Sequence, residues 1–312
     1  MASKVKEQKK FSIYINISSG TAQSLGEEAL RAKIKQSSLA NSHLYLLEAE
    51  TFFKIIKDIS KKDTPILIGG GDGTIKSAAE ILMEKDIAFG VLPFGTMNLL
   101  AQDLNVPLKL EEALEAYAAK TVHKQIDVGY VNNAVFLCCA GLGTMPETSV
   151  YREEHRGESA PLLVPQLMGY MMEEMDKMAR RHLKIKIDNN KRPLRTSCLV
   201  ISNNTYSDTT EWTANSFKRQ NLQDGILGVY AAKPRNFWEK LAFLLRLKIG
   251  GWQKDPVIKS WTAKKIMINS RRKKELVSLD GEAVELSTPL RFSLENKKLK
   301  MLLPKMTKVK AA

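Results

Sequence analysis

The sequence predicts an α/β amino-terminal domain on a doubly wound, mostly parallel sheet, followed by a mainly antiparallel β-sandwich. Three observations carry this. Apolar segments of strand length alternate with segments at helical spacing up to about residue 125. From Ile126 onward short apolar runs dominate, at 134–139, 183–187, 197–201, 226–231, 264–268, 276–279 and 290–294. Finally, the run Ile66-Leu67-Ile68 enters Gly69-Gly70-Gly71-Asp72-Gly73-Thr74, followed by a helical face of Ile75, Ala78, Ala79, Leu82 and Met83. Such a strand–glycine loop–helix unit aims backbone N–H groups and a helix N-terminus at a phosphate.

Taken in order, residues 1–10 are a polar, basic arm and 11–16 a first strand, closed by the turn Ile17-Ser18-Ser19-Gly20. A helix is expected at 24–37, a strand at 44–47, and a helix marked by Phe52, Ile55, Ile56 and Ile59. Strand 66–68, helix 75–84, strand 88–92 and a helix around 98–104 follow, then one marked by Leu110, Ala113, Leu114 and Tyr117. In the second half Leu183-Lys184-Ile185-Lys186-Ile187 alternates strictly, as a strand with one wet face does. Helices at about 162–182 and 236–249 interrupt the strands. The change of period sets domains at 1–127 and 128–295, and the apolar run 299–303 leaves 296–312 free to return to the first domain.

The formal net charge of +14 favours anionic partners: nucleotides, acidic lipid surfaces or nucleic acid. No recognised module or aromatic-basic repeat supports nucleic acid, so that partner is not expected. Cys138, Cys139 and Cys198 are odd in number and lack metal spacing, which points to reduced thiols and a cytoplasmic protein. There is no signal-peptide pattern and no run of about 18 apolar residues, so any membrane contact is expected to be peripheral. His43, His123, His155 and His182 are scattered, without ligand spacing.

Two familiar nucleotide signatures fail. A Rossmann fingerprint needs a third glycine in register, and a P-loop needs Gly where Ile75 precedes Lys76-Ser77. That Lys-Ser pair is expected on the helix surface. Instead, three loops follow strands of one parallel sheet, at 16–20, 69–74 and 93–98. Ligands bind such sheets outside the carboxyl ends of the strands. The loops offer hydroxyls (Ser18, Ser19, Thr74, Thr96) and amides (Asn16, Asn98), although turn capping is an alternative use of both amides. Phosphoryl transfer also needs carboxylates, and Asp72, Asp127, Asp224, Asp280 and Glu282 are the candidates. Asp280-Gly281-Glu282 can bring two carboxylates to one side of a turn, and Asp-Gly is equally a common hairpin turn.

Asn16-Ile-Ser-Ser-Gly20, Gly70-Gly-Asp-Gly-Thr74, Pro93-Phe-Gly-Thr-Met-Asn98, Ile126-Asp-Val-Gly129, Asp224-Gly-Ile-Leu-Gly228 and Asp280-Gly-Glu282 occur in that order. Together they resemble the diacylglycerol kinase catalytic-domain family, which includes bacterial diacylglycerol and related lipid kinases, sphingosine kinases and ceramide kinases. The resemblance spans roughly 11–303. It implies a fold like that of NAD kinase and the lipid kinases. It implies that ATP is held by Asn16, Ser18, Ser19, Gly20, Gly70, Gly71, Asp72, Gly73, Thr74, Gly95, Thr96 and Asn98. It further implies Mg²⁺ on the phosphates, Asp72 holding that metal or the acceptor, and a catalytic base from Asp280 or Glu282 facing the inter-domain cleft. Asp127 joins the charge network. Asp224, with the carbonyls of Asn221 and Ile226, corresponds to a structural Mg²⁺ site.

Departures from the family pattern are Ile17 for a proline, Leu47 for a threonine, Lys76-Ser77 for Asn-Glu, and Leu99 for an aspartate. Asn221 and Gly228 also stand where acids are usual, which weakens the structural metal site. The implied function is an ATP-dependent lipid kinase acting on a hydroxyl of a diacylglycerol-like lipid. The alternatives are a soluble, NAD kinase-like enzyme and a nucleotide-binding regulator without turnover; a homodimer is left open. Helix 236–249 carries Phe237, Trp238, Leu241, Leu244 and Leu245 with Lys240, Arg246 and Lys248, a mixture suited to a membrane interface. Arg271-Arg272-Lys273-Lys274 would be drawn to an anionic leaflet. Helix 162–182 holds Leu163, Leu167, Met168, Tyr170, Met171, Met172, Met175 and Met178, which would line acyl chains or fill a core.

Overall fold

The computed structural model describes residues 10–60, 64–155, 160–179, 181, 183–207 and 217–305. The basic arm up to residue 9, His182 and the side chains of Leu163 and Lys248 lie outside the described residues. The chain forms two compact units, one built from residues up to Ile126 and from Lys297 onward, the other from Asp127–Asn296.

In the first unit, β1 (Ser12–Asn16) leads to α1 (Gly20–Leu25) and α2 (Glu27–Gln36). The helix expected at 24–37 is thus two helices, broken at Gly26, whose φ of +78° is a left-handed value that glycine adopts freely. Next come β2 (His43–Leu47), α3 (Ala49–Asp58), β3 (Ile66–Gly70) and α4 (Asp72–Glu84). β4 (Phe89–Pro93), α5 (Leu99–Asp103) and α6 (Leu110–Ala119) complete the run. β5 (Thr121–Val131) carries the chain into the second unit.

The strands are parallel in the order β2-β1-β3-β4. β1, β3 and β4 are buried along their whole length, which explains their near-continuous apolar sequences. The chain leaves β1 toward β2 on one side and returns to β3 on the other. The crevice between β1 and β3 is therefore a topological switch point, where doubly wound sheets bind ligands.

Tyr117 of α6 is fully buried. Its hydroxyl accepts the Val91 N–H at 2.9 Å and lies 3.4 Å from the Leu302 carbonyl. Tyr117→Phe would strand the Val91 N–H, and we expect urea denaturation to show a loss of about 1–3 kcal/mol.

In the second unit β6 (Ala134–Phe136) and β7 (Cys139–Gly143) precede α7 (Thr144–Glu154) and α8 (Ala160–Ala179). β8 (Leu183–Ile187), β9 (Asn190–Leu194), β10 (Cys198–Asn203) and β11 (Leu227–Ala232) lead to α9 (Phe237–Ile249). β12 (Ile258–Ala263), β13 (Ile266–Asn269), β14 (Lys274–Leu279), β15 (Glu282–Ser287) and β16 (Leu290–Pro304) close the chain. β16 ends in the first unit, where Met301 pairs in parallel with Phe89 of β4.

One antiparallel sheet runs β12-β11-β10-β7-β14-β15. Facing it are β9, β8, β13 and the start of β16, also antiparallel. A single apolar core joins them, with Leu142, Ile201, Val229 and Val277 from one layer and Ile185, Ile266, Ile268 and Phe292 from the other. This is a sandwich built from the inward residues of alternating strands.

On α8, Met175 and Met178 are buried, and Met168, Met171 and Met172 pack with Phe243 and Leu244 of α9. These methionines fill a core. Lys240 of α9 is also buried, paired with Asp176 at 2.6 Å, so it does not belong to an exposed basic face. Phe237 and Trp238 at the start of α9 are 57% and 73% exposed. No helix among the described residues is long and apolar enough to cross a membrane.

Candidate active site

The glycine segment is shorter as a loop than its sequence suggests. Gly69 and Gly70 belong to β3, and Asp72-Gly73-Thr74 form the first turn of α4, so Gly71 alone joins strand to helix. The first-turn N–H groups of α4 have no intrahelical acceptor and carry the positive end of the helix dipole.

Two neighbouring loops are tied to this turn. Phe94 N–H donates to the Gly70 carbonyl at 3.1 Å, and Thr21 N–H to the Phe94 carbonyl at 3.3 Å. The Asn16 amide donates to the Thr74 hydroxyl at 3.1 Å, and its Oδ1 accepts the Ser18 N–H at 3.0 Å. Ser18 donates in turn to Glu48 at 2.6 Å. Asp72 Oδ1 accepts the Leu99 N–H at 2.8 Å, so the residue standing in place of an acid still contributes through its backbone.

Asn98 shapes the third loop. In a left-handed conformation (φ +49°), its side chain accepts the Gly95 N–H at 2.7 Å and donates to the Gly95 carbonyl at 2.6 Å. Its amide is thus occupied in closing a turn. Thr96 is exposed at the tip and Gly20 is exposed at the start of α1. Ser19 differs from the other hydroxyls: it is buried, and its Oγ has no hydrogen-bond partner among the described residues. A buried hydroxyl left unsatisfied is costly, and a phosphate oxygen is one acceptor that would relieve it. Lys76 is nearly buried, not on the helix surface as expected.

Close approach of two backbones fixes the glycines here. A Cβ on Gly95 would stand 2.8 Å from the Gly71 Cα. Gly95→Ala must therefore push the second and third loops apart. We expect urea denaturation of Gly95→Ala to show a loss of about 1–3 kcal/mol.

The second unit carries the remaining acids in two groups. Asp127 is 1% exposed, and its Oδ2 accepts the Gly225 N–H at 2.8 Å and the Asn204 amide at 3.2 Å. Asn204 Oδ1 accepts the Asp224 N–H at 3.1 Å, and Asn204 N–H donates to the Ile226 carbonyl at 3.0 Å. Asn221 donates its amide to Asp224. The residues of the expected structural Mg²⁺ site are therefore brought together, but the set does not fit a hard dication. The Asn221 amide N–H points at the Asp224 carboxylate where a metal would have to sit, and the Ile226 carbonyl accepts the Asn204 N–H. Among the described residues no three His, Cys, Asp or Glu side chains gather as a metal set.

Asp280 and Glu282 part company. Asp280-Gly281 is a two-residue hairpin turn between β14 and β15, with φ of +53° and +97° and Leu279 paired to Glu282. The Asp280 carboxylate is 7% exposed and accepts three backbone N–H groups, from Leu137 (2.6 Å), Cys138 (2.7 Å) and Cys139 (2.9 Å). Burial raises its pKa above the usual 3.8, opposed by those three N–H groups and by Arg219. Glu282 is exposed. Arg219, itself buried, donates to the carbonyls of Leu137 and Asn203, both at 2.7 Å, and Asn203 donates to the Asp127 carbonyl at 2.8 Å. Arg219, Asn203 and Asn204 were not singled out from the sequence. The adjacent asparagines ending an apolar run were the one available signal.

The diacylglycerol kinase catalytic domain, as a family profile, matches residues 10–131. A YegS-like protein of Yersinia pestis (strain Pestoides F), named a probable lipid kinase, is 38% identical over 86 residues, covering 25% of this chain and 29% of that protein. An uncharacterized protein of Synechocystis sp. is 22% identical over 214 residues, covering 67% of this chain and 48% of that protein. The chain thus spans less than half the length of either relative.

Two solved structures from Bacillus anthracis str. Sterne share the fold. One, described as a candidate diacylglycerol kinase, has a TM-score of 0.69 at 21% identity and covers 95% of this chain and 98% of its own. The other, described as a diacylglycerol kinase, gives 0.65 at 19% identity, covering 95% and 97%. The loop geometry agrees with that match: residues 10–131 are similar to the diacylglycerol kinase catalytic domain.

Proposed function

We propose that this chain is an ATP-dependent lipid kinase that transfers the γ-phosphoryl group to a hydroxyl of a diacylglycerol-like lipid. The observation that supports it most is the welding of three loops, at 16–20, 70–74 and 93–98, into one surface at the switch point, with the buried Ser19 hydroxyl left over. In this reading the N–H groups of the α4 first turn and the hydroxyls of Ser19 and Thr74 bind phosphate oxygens. Glu282 takes the proton of the acceptor hydroxyl as its oxygen attacks the γ-phosphorus in line, and ADP leaves. Asp280 holds the hairpin that presents Glu282.

Mg²⁺ accompanying ATP would neutralise phosphate charge, and Asp72, a single carboxylate beside the loops, fits such a metal, which typically retains waters and takes one or two protein carboxylates. The 221–226 loop holds itself with hydrogen bonds and needs no ion in this reading. Peripheral contact with a bilayer is supported by the exposed Phe237–Trp238 pair.

The test is transfer of ³²P from labelled ATP to a panel of diacylglycerol, phosphatidylglycerol, a sphingoid base, ceramide and NAD. Wild type, Asp72→Asn and Glu282→Gln are run side by side. Label in a lipid, abolished by Asp72→Asn and strongly reduced by Glu282→Gln, is expected. Label in NADP alone, or ATP binding without any product, overturns the reading.

A further inference from the structure

A cavity lies in the β-sandwich away from the Asp280 turn. β11 begins at Leu227, paired with Asn203, whose N–H bonds to the Cys138 carbonyl beside Asp280. Four residues further on, about 13 Å along the strand, Ala231 lines the cavity. Its volume of ≈ 860 Å³ is in the range of small-molecule sites.

The chemistry of the lining is one-sided. Lys184, Arg195, Lys233, Lys259 and Arg271 surround the space, and no carboxylate is among the lining residues. All five are exposed, and none is paired with an acid among the described residues. Lys184 and Lys259 lie in β8 and β12, Arg195 and Lys233 just past the ends of β9 and β11, and Arg271 between β13 and β14, so the convergence is a product of the fold and not of a charge run in sequence. The floor is apolar: Leu183, Leu194 and Ala231 are buried there, with Trp261 beside them. Through Lys233, Val257 and Lys259 the rim continues into a smaller depression lined by Trp238, the most exposed large hydrophobic residue described.

We propose that this cavity binds an anionic phospholipid, with its phosphate among the five cations and an acyl chain on the apolar floor. A free phosphate would satisfy the charges and leave the floor unused. A neutral lipid would use the floor and leave five like charges uncompensated. The contiguous exposed tryptophan places the mouth of the cavity beside a surface suited to a bilayer interface. This proposal does not require that the chain be a kinase.

The test is calorimetric titration of the full chain with dioctanoyl phosphatidic acid, dioctanoylglycerol and inorganic phosphate. Phosphatidic acid is expected to bind at least tenfold more tightly than either of the others. Lys184→Glu with Lys259→Glu should cost at least tenfold of that affinity, while Lys35→Glu on α2 of the first unit should leave it unchanged. Because two reversals could disturb the sandwich, the single Arg195→Gln, at an exposed position, is measured alongside and should weaken binding severalfold with Tm unaltered. Equal binding of phosphatidic acid by all variants, or phosphate binding as tightly as phosphatidic acid, overturns the proposal. Loss of kinase turnover has no bearing on either result.

Discussion

Glu282→Gln is expected to lower turnover by about 10²–10⁴-fold while leaving ATP affinity unchanged. The substitution keeps shape and hydrogen-bonding reach but removes the ability to take a proton. Glu282 is the first residue of β15, fixed by its pairing with Leu279 across the hairpin, and its side chain is exposed. Asp280 cannot take over, because three backbone N–H groups already occupy its buried oxygens. The three loops proposed to hold ATP belong to the other unit and contain no residue of the hairpin, so binding and turnover should separate cleanly. Initial rates with the best acceptor of the lipid panel, beside an ATP titration, read both quantities. Full turnover in Glu282→Gln would remove Glu282 as the base and leave the proton to another group.

Strands buried on both faces are legible in sequence as apolar runs, and β8 is legible by its strict alternation. β1, β3 and β4 read as apolar runs because nothing polar is tolerated along them. β12 gives no apolar run because it is an edge of its sheet and exposes polar residues. β9, with Pro193 in a polar stretch, and the half-exposed start of β5 gave no apolar signal either. The start of α4 was misplaced by three residues because Asp72, Gly73 and Thr74 are poor helix formers, which the N-terminal turn accepts.

For the site, the order of the short motifs could be read, since each occupies consecutive residues. Their partners could not. Asp280 meets Leu137 across 143 positions and Arg219 meets the Leu137 carbonyl across 82. Both contacts use backbone atoms, which carry no residue-specific signature. The same applies to the Leu99 N–H on Asp72, where the side chain is irrelevant to the bond.

Asp280→Ala is expected to destabilise the fold by about 2–5 kcal/mol, the largest structural effect among these variants. Three buried N–H groups of the β6–β7 connection would lose their acceptor at once, and Asp280 N–H to the Cys139 carbonyl (2.9 Å) would be the turn's remaining tie to that segment. Alanine also resists the left-handed conformation at this position, φ +53°, which Asp and Asn tolerate. Asp280→Asn therefore isolates the charge: it keeps the turn and one acceptor oxygen, and should cost less than alanine. Wild type and Asp280→Asn differ in pH response, because only the carboxyl group titrates. Because burial raises the folded pKa above 3.8, the folded chain holds this proton more tightly than the unfolded chain. The contribution is fully present below about pH 3.8 and is lost as the pH rises through the raised value. Wild type should gain on Asp280→Asn as the pH is lowered through that window. Urea midpoints of the full chain, followed by circular dichroism at several pH values, measure both effects. An alanine variant as stable as wild type would show that the three N–H groups find other partners and that Asp280 is not the brace of this hairpin.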